Sequence, residues 1–296
     1  MMSTPARDGH SYLTHRRPVP DDQSVLSSQK ATLKAFLLAG GHGTRLRPLT
    51  DSVPKCLVPI CGKPLLDIWL DLCARSGITE VFINLHAHSP LIEQHIRQND
   101  PPVKVRVVHE ERLLGSAGTI AANRDWIGSD PAFWILYSDV LTNTDLKRMS
   151  EFHSCHGAIA TVGLYQVPDP SRCGIAITND FGVVVDFEEK PQNPRSNWAF
   201  TGLMVAAPGL FDVIPGRIPA DIGFHLLPRL LGKILGYPIN DYLLDIGTMS
   251  NYQRAQGTWP GLGSGSAVHE QKGASSSPQV AGFGRPAHNG PSGESL

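Results

Sequence analysis

Apolar and polar positions along the chain alternate between two periods. Phe36-Leu37-Leu38-Ala39 is a short apolar run closed by glycine, the pattern of a strand buried on both faces. After Pro64, the stretch LLDIWLDLCARS repeats apolar residues at helical spacing, and Gly77 stands where a helix end takes a left-handed residue. The same reading predicts a strand at 81–84 (VFIN), a helix at 90–98 and a strand at 103–108 (VKVRVV) with one face in water. A continuous apolar run, FWILYS, follows at 133–138, then a helix over 145–157 ending at Gly157 and a strand over 158–167. Strand and helix in alternation predict an α/β fold with a mainly parallel sheet flanked by helices.

The pattern then changes. Residues 174–191 hold two β-rich runs around Asn179-Asp180-Phe181-Gly182, which reads as a hairpin and implies a small antiparallel lobe. Such a lobe could lie over the carboxyl ends of the parallel strands, where open α/β sheets bind ligands. Residues 1–30 are polar and proline-containing, and half of residues 257–296 are Gly, Ser or Pro. Too few large apolar side chains remain there to offset ordering entropy, so both segments are expected to be disordered, leaving 31–256 as one folded unit.

Composition narrows the setting. The 296 residues are 41% hydrophobic and carry a net charge of −1, so no global field recruits nucleic acid or a membrane surface. The N-terminal stretch has no apolar run behind its basic residues, and no segment reads as a membrane span, so a cytoplasmic location is expected. Five cysteines, with no paired C-x-x-C spacing, point to reduced thiols; Cys56 and Cys61 read as small buried apolar residues and not as zinc ligands. His86 and His88 lack a third metal ligand, which leaves nucleotide contact or loop packing for them, and His153 and His156 are expected to face solvent.

The candidate chemistry begins directly after the first strand. Gly40, Gly41 and Gly43 let backbone N–H groups crowd around an anion, and Arg45 and Lys55 add side-chain charge, so a phosphate-rich ligand is expected. Two common phosphate motifs fail. Gly62-Lys63 is followed by Pro64 where a P-loop needs Ser or Thr, and Leu46 stands where a dinucleotide fingerprint needs its third glycine.

A longer pattern does match. Leu38-Ala39-Gly40-Gly41-His42-Gly43-Thr44-Arg45-Leu46-Arg47-Pro48, with Pro54-Lys55 and Gly62-Lys63-Pro64, closely resembles the signature of sugar-1-phosphate nucleotidylyltransferases. The resemblance continues in order through Leu114-Gly115-Ser116-Ala117-Gly118-Thr119, Ser138-Asp139-Val140, Glu188-Glu189-Lys190-Pro191, Phe200-Thr201-Gly202 and Leu244-Asp245-Ile246-Gly247-Thr248. It implies a Rossmann-like, GT-A-like sheet and the joining of an NTP to a sugar 1-phosphate with release of pyrophosphate. By the same resemblance, Arg45 would meet the departing phosphates, Lys55 the α-phosphate and Lys190 the phosphate of the sugar. Leu38, Ala39, Gly40, Gly41, Gly43, Thr44, Gly115 and Gly118 would surround the nucleotide, and Gly174, Glu189 and Thr201 the sugar. Asp139 and Asp245 would hold Mg²⁺, which takes one or two carboxylates with phosphate oxygens and water.

Ser138 departs from the glycine that many members carry before the first metal-binding Asp. The segments Asn84-Leu85-His86 and Leu114 to Gly118 look more like mannose-1-phosphate guanylyltransferases, which implies GTP and a mannose- or heptose-like 1-phosphate; similar segments occur in uridylyltransferases acting on amino sugars. A glycosyltransferase would want an Asp-x-Asp pair, and Ser138-Asp139-Val140-Leu141 offers one Asp. A non-catalytic nucleotide-sugar sensor should have lost some of Arg45, Lys55, Asp139, Lys190 and Asp245, all of which are present. The chain after 256 lacks the hexapeptide repeats of a C-terminal β-helix, and a homo-oligomer is left open.

Overall fold

A computed structural model describes residues 33–263 apart from His42, Ala87 and His88. The expected N-terminal extension, the tail beyond 263 and His88 lie outside the described residues. The first strand, β1 (Leu33–Leu38), leads through the glycine loop to a small hairpin of β2 (Pro59–Ile60) and β3 (Lys63–Pro64). Then follow α1 (Leu65–Arg75), β4 (Ile78–Leu85), α2 (Ser89–Gln98), β5 (Lys104–His109) and α3 (Ser116–Ala122). The central part holds β6 (Phe133–Tyr137), β7 (Val140–Thr142), α4 (Leu146–His156) and β8 (Ala160–Gln166). The last elements are β9 (Gly174–Thr178), β10 (Val184–Glu189), β11 (Trp198–Ala206), β12 (Ile234–Pro238), β13 (Leu243–Asp245) and α5 (Met249–Thr258).

Among the described residues one mixed sheet of nine strands forms the frame. β1 sits between β6 and β4 and runs parallel to both, and β5 extends β4 in parallel. β11 runs antiparallel to β6 and carries β8 and the β9–β10 hairpin, so the antiparallel lobe is continuous with the parallel half. The hairpin turn forms as its residues require: Asn179 Oδ1 accepts from the N–H groups of Phe181 and Val183, and Gly182 takes φ 76°.

The strand alternation divides the core. Ala35 and Leu37 of β1 join Val81, Ile83, Trp134 and α1 on one face, while Phe36 packs with Phe82, Phe133 and Trp126 on the other, ring centroids 5.1–5.9 Å from Phe36. Both faces are dry, as a parallel strand between helical layers demands. Gly77 (φ 80°) and Gly157 (φ 60°) end α1 and α4 in left-handed conformation. No helix among the described residues is long and apolar enough to cross a membrane.

Three expectations change. His153 is buried, its Nδ1 3.0 Å from Thr161 Oγ1 under α4, because that helix packs its His153 face on β8; His156 is exposed as expected. Cys61 is exposed, with φ 48° in the β2–β3 turn, whereas Cys56 is buried and its thiol is pushed up to about 12 by desolvation. The folded unit also runs past 256: α5 continues to Thr258, Trp259 packs edge-on against Tyr242 at 5.2 Å, and Leu262 joins the core.

Candidate active site

The carboxyl ends of β1, β4 and β6 open into a cavity of about 490 Å³. Leu38, Ala39, Gly40 and Gly41 leave β1 along its floor, and Gly43, Thr44 and Arg45 turn along its side. Gly43 has φ 65° and ψ 19°, and Thr50 Oγ1 fixes the turn by donating to the Gly43 carbonyl at 2.8 Å. A side chain at Gly43 would press on the Lys55 Cβ at 3.1 Å, so glycine here also lets Lys55 come in.

Lys55 and Asp139 meet in this wall. The Lys55 Nζ donates to Asp139 Oδ2 at 2.7 Å, with side-chain exposures of 13% and 34%. Asp139 is delivered by β6: the Ser138 N–H donates to the Leu38 carbonyl at 3.2 Å, which continues the β1–β6 pairing up to the cavity. Asp245 arrives on β13, paired with β7 in the register Asp245 to Val140, and the Ile246 N–H donates to the Asp139 carbonyl at 3.0 Å. Gly247 follows. A Cβ there would lie 2.7 Å from Asp245 Oδ1 and 2.8 Å from an Arg45 guanidinium nitrogen, so both side chains converge on this glycine.

Among the described residues no three His, Cys, Asp or Glu side chains gather to hold a metal. Asp139 on the cavity wall and Asp245 on β13 are carboxylates of the kind Mg²⁺ takes, one or two together with substrate phosphates and water.

The opposite end of the cavity is lined by Asn84, Glu110, Leu113, Gly115 and Thr119. Glu110 is buried and ties this end together: it accepts from Thr119 Oγ1, from Asn84 Nδ2 at 3.1 Å and from the Leu114 N–H at 3.2 Å. Asn84 Oδ1 in turn accepts from the Ala39 N–H at 2.8 Å, linking the base of the glycine loop to the segment 110–115. His86 Nδ1 lies 2.8 Å from the Glu110 carbonyl oxygen. Gly115 has φ 81°, and a side chain there would strike the Ala220 backbone carbonyl.

Beyond Tyr137 the cavity reaches Ser116 and Asp221, and past them lie Glu189 and Lys190 at the end of β10. Lys190, with φ 52°, holds its ammonium 3.9 Å from Glu189 Oε1 and 5.7 Å from the Phe224 ring centroid. Burial, and next the Asp221 charge, raise the Glu189 carboxyl against the opposing effect of Lys190. The Tyr137 hydroxyl is raised chiefly by burial, with Asp221 adding to it.

Ten of the sixteen residues expected at a site line this cavity; Gly174, Glu189, Lys190 and Asp245 stand outside its lining, and so do Gly118 and Thr201. Gly118 lies within α3 and does not line the cavity: its N–H and that of Ala117 donate to the Ala220 carbonyl at 3.1 and 2.9 Å, and its missing side chain makes room for Leu114. Thr201 is buried with its hydroxyl donating to the Gly163 carbonyl at 2.9 Å, which spends the group expected to meet a sugar on a bulge in β11. Gly174 backs the Glu189 carboxylate, which a side chain there would approach to 2.5 Å. Arg47 points away and pairs with Asp51 at 3.1 Å. Sequence reading missed Glu110, Tyr137 and Asp221; only Glu110, four residues before the Leu114 to Gly118 motif, carried a local signal.

The parallel strands of a mixed α/β sheet thus open on a glycine loop and a lysine–aspartate pair, and the family follows from comparison. The chain belongs to the nucleotidyl transferase family, whose model matches residues 34–259. It is 33% identical over 227 residues to the mannose-1-phosphate guanylyltransferase catalytic subunit beta of Xenopus tropicalis, covering 74% of this chain and 62% of that protein. The chain therefore spans about three fifths of the length of the curated relatives it matches. Among solved structures it resembles a Bacillus anthracis protein provisionally designated a glucose-1-phosphate thymidylyltransferase, in complex with a sucrose (TM-score 0.69, 25% identity, 76% of this chain and 94% of that one). HddC from Yersinia pseudotuberculosis complexed with GMP-PN shares the fold (TM-score 0.66, 22% identity, 77% and 100% of the two chains).

Proposed function

We propose that the protein is a sugar-1-phosphate nucleotidylyltransferase. One observation carries the reading: Arg45, Lys55 and Asp139 line a single cavity with the glycine loop at the carboxyl edge of the parallel strands. In the reaction, a phosphate oxygen of the sugar 1-phosphate attacks the α-phosphorus of the NTP. A new P–O bond forms, the bond to the β-phosphate oxygen breaks, and pyrophosphate leaves with the electron pair.

The attacking oxygen is already ionised, so no enzyme nucleophile or base is required. The barrier lies in bringing two anions together and in stabilising charge on the leaving group. Arg45 would take the departing phosphates in its planar fork, and Lys55 would exchange Asp139 for the α-phosphate. Lys190 would hold the acceptor phosphate, with Glu189 and the Gly174 backbone beside the sugar. Asp139 and Asp245 would hold Mg²⁺, whose charge would screen the phosphates and favour the in-line arrangement.

GTP is the proposed nucleotide and a mannose- or heptose-like 1-phosphate the proposed acceptor, on the support of the guanylyltransferase relatives. The base would lie over Gly115, between the Asn84–Glu110 pair and Leu113. A cytoplasmic location, where NTPs are supplied, is in keeping with five unpaired cysteines. The decisive experiment is pyrophosphate release from GTP, UTP, dTTP, ATP and CTP against a panel of sugar 1-phosphates. Transfer with GTP foremost is expected; no release from any pair would overturn the activity, and preference for another base would overturn the choice of nucleotide alone.

A further inference from the structure

The Glu189 carboxylate is half-buried, with the Lys190 ammonium 3.9 Å from its Oε1. Two glycines leave it room. A Cβ on Gly174 would stand 2.5 Å from Glu189 Oε2, and a Cβ on Gly223 would strike the same oxygen and come within 3.4 Å of Asp221 Oδ1. Glu189 and Asp221 therefore flank one point, and Asp221 lines the substrate cavity. Its carboxylate is held in place: Oδ2 accepts from Ser116 Oγ at 3.0 Å, Oδ1 from the Phe224 N–H at 3.1 Å, and its own N–H donates to His225 Nδ1 at 2.9 Å.

Capping the short 222–226 turn would account for one of those bonds. It does not account for setting a second carboxylate near a half-buried first one, an arrangement that costs free energy; burial foremost, with a smaller contribution from Asp221, raises the Glu189 carboxyl against the Lys190 charge. Neutral hydroxyl donors offset such a cost; further negative charge would increase it. On the other side, Phe224 is 54% exposed and shares the Lys190 ammonium, so an apolar ring stands beside the same space.

Resting on the nucleotidylyltransferase reading, we propose that Asp221 is an acceptor-specificity residue that pairs with Glu189. The two carboxylates take two hydroxyls of the sugar ring, and together they reject sugar 1-phosphates bearing a second negative group on that edge. The ligand class is a neutral aldose 1-phosphate with at least two free ring hydroxyls.

Titration calorimetry of the full chain tests this without turnover, so a failure of the transfer reaction and a failure of this inference are distinguishable. The probes are α-mannose 1-phosphate, α-glucose 1-phosphate, their monodeoxy analogues and the matching uronic acid 1-phosphates. In the wild type, at least two hydroxyl deletions should each weaken binding by about ten- to a hundredfold, the range for hydrogen bonds to charged groups. In Asp221→Ala one of those deletions should become neutral, and the uronic acids should gain affinity relative to the neutral sugar phosphates, with GTP titrated in parallel as the reference ligand. Asp221→Asn keeps the cap and the Ser116 bond and covers a failure of the alanine variant to fold; it should bind the uronic acids better than the wild type does. The inference is overturned if neither parent sugar phosphate binds, or if both variants keep the wild-type ranking of deoxy and acidic sugars. Equal weakening towards every probe and GTP would likewise overturn it.

Discussion

Lys55 Nζ donates to Asp139 Oδ2 at 2.7 Å, joining the loop after β1 to the segment that leaves β6. The pair does two things. It neutralises a cation and an anion that would otherwise be part-buried alone, and it keeps both beside the space where phosphates would sit. Lys55→Met and Asp139→Asn are each expected to lower kcat about 10²- to 10³-fold, as the loss of a positioned charge does. Each should also lower stability by about 1–3 kcal/mol by leaving one charge without its partner. The double variant should recover part of the stability and none of the activity. Denaturant melts with steady-state rates on the four proteins check this; equal stability in all four would show that the contact contributes nothing to the fold.

Gly43 is the second test. Its φ of 65° is left-handed, and an alanine would set a Cβ 3.1 Å from Lys55 Cβ and 3.2 Å from Thr50 Cγ2. Gly43→Ala should cost about 1–2 kcal/mol through backbone conformation alone. Because the clash falls on Lys55, kcat/KM for the nucleotide should drop further than the stability loss accounts for, with the acceptor KM less affected. Thermal melting and two-substrate kinetics separate the two effects.

Lys190 is more exposed than Lys55, and its ammonium lies 3.9 Å from the Glu189 carboxylate and 5.7 Å from the Phe224 ring centroid. Lys190→Ala should therefore leave the melting temperature nearly unchanged while raising the acceptor KM about ten- to a hundredfold, the range of a charge-assisted contact to phosphate. The KM for NTP should move little. Initial-rate measurements with each substrate varied in turn decide it, and an unchanged acceptor KM would remove Lys190 from the site.

How far the sequence could be read depends on whether the signal was local. The first strand and its glycine loop are legible because the turn, the anion-binding backbone and Arg45 lie within ten residues of one another. Asp139 is legible because an apolar run must end at the sheet edge. β11 is harder: its register with β8 shifts between Phe200 and Met204, and Gly202 with φ 80° packs over Tyr137, so period-2 alternation is broken by a long-range contact. Thr201 turned inward for the same reason. Asp221 sits 105 positions from its partner Ser116, and nothing in its neighbourhood marks it. His153 misled because a polar residue on an amphipathic helix reads as solvent-facing until the hydroxyl of Thr161 is found opposite it.

The carboxyl-terminal boundary gives the last test. Composition placed the end of the folded unit at 256, yet Trp259 lies half-buried against Tyr242, and Tyr242 OH lies 2.8 Å from Thr258 Oγ1. Arg75 adds a hold on the carbonyl of Gly263. A glycine-rich window average hides one tryptophan, although a single aromatic ring buries more apolar surface than several small residues expose. Trp259→Ala should cost about 1–3 kcal/mol, the value of an apolar side chain taken partly out of water. A chain ending at 256 should lose at least as much, since it also removes Leu262 and the last turn of α5. Because α5 follows Asp245 and Gly247 directly, and Asn251 Nδ2 donates to the Asp245 carbonyl at 2.7 Å, loosening this helix should lower activity before global unfolding. Urea melts alongside activity at rising urea concentration check the order; loss of activity coincident with global unfolding would show that α5 does not support the site.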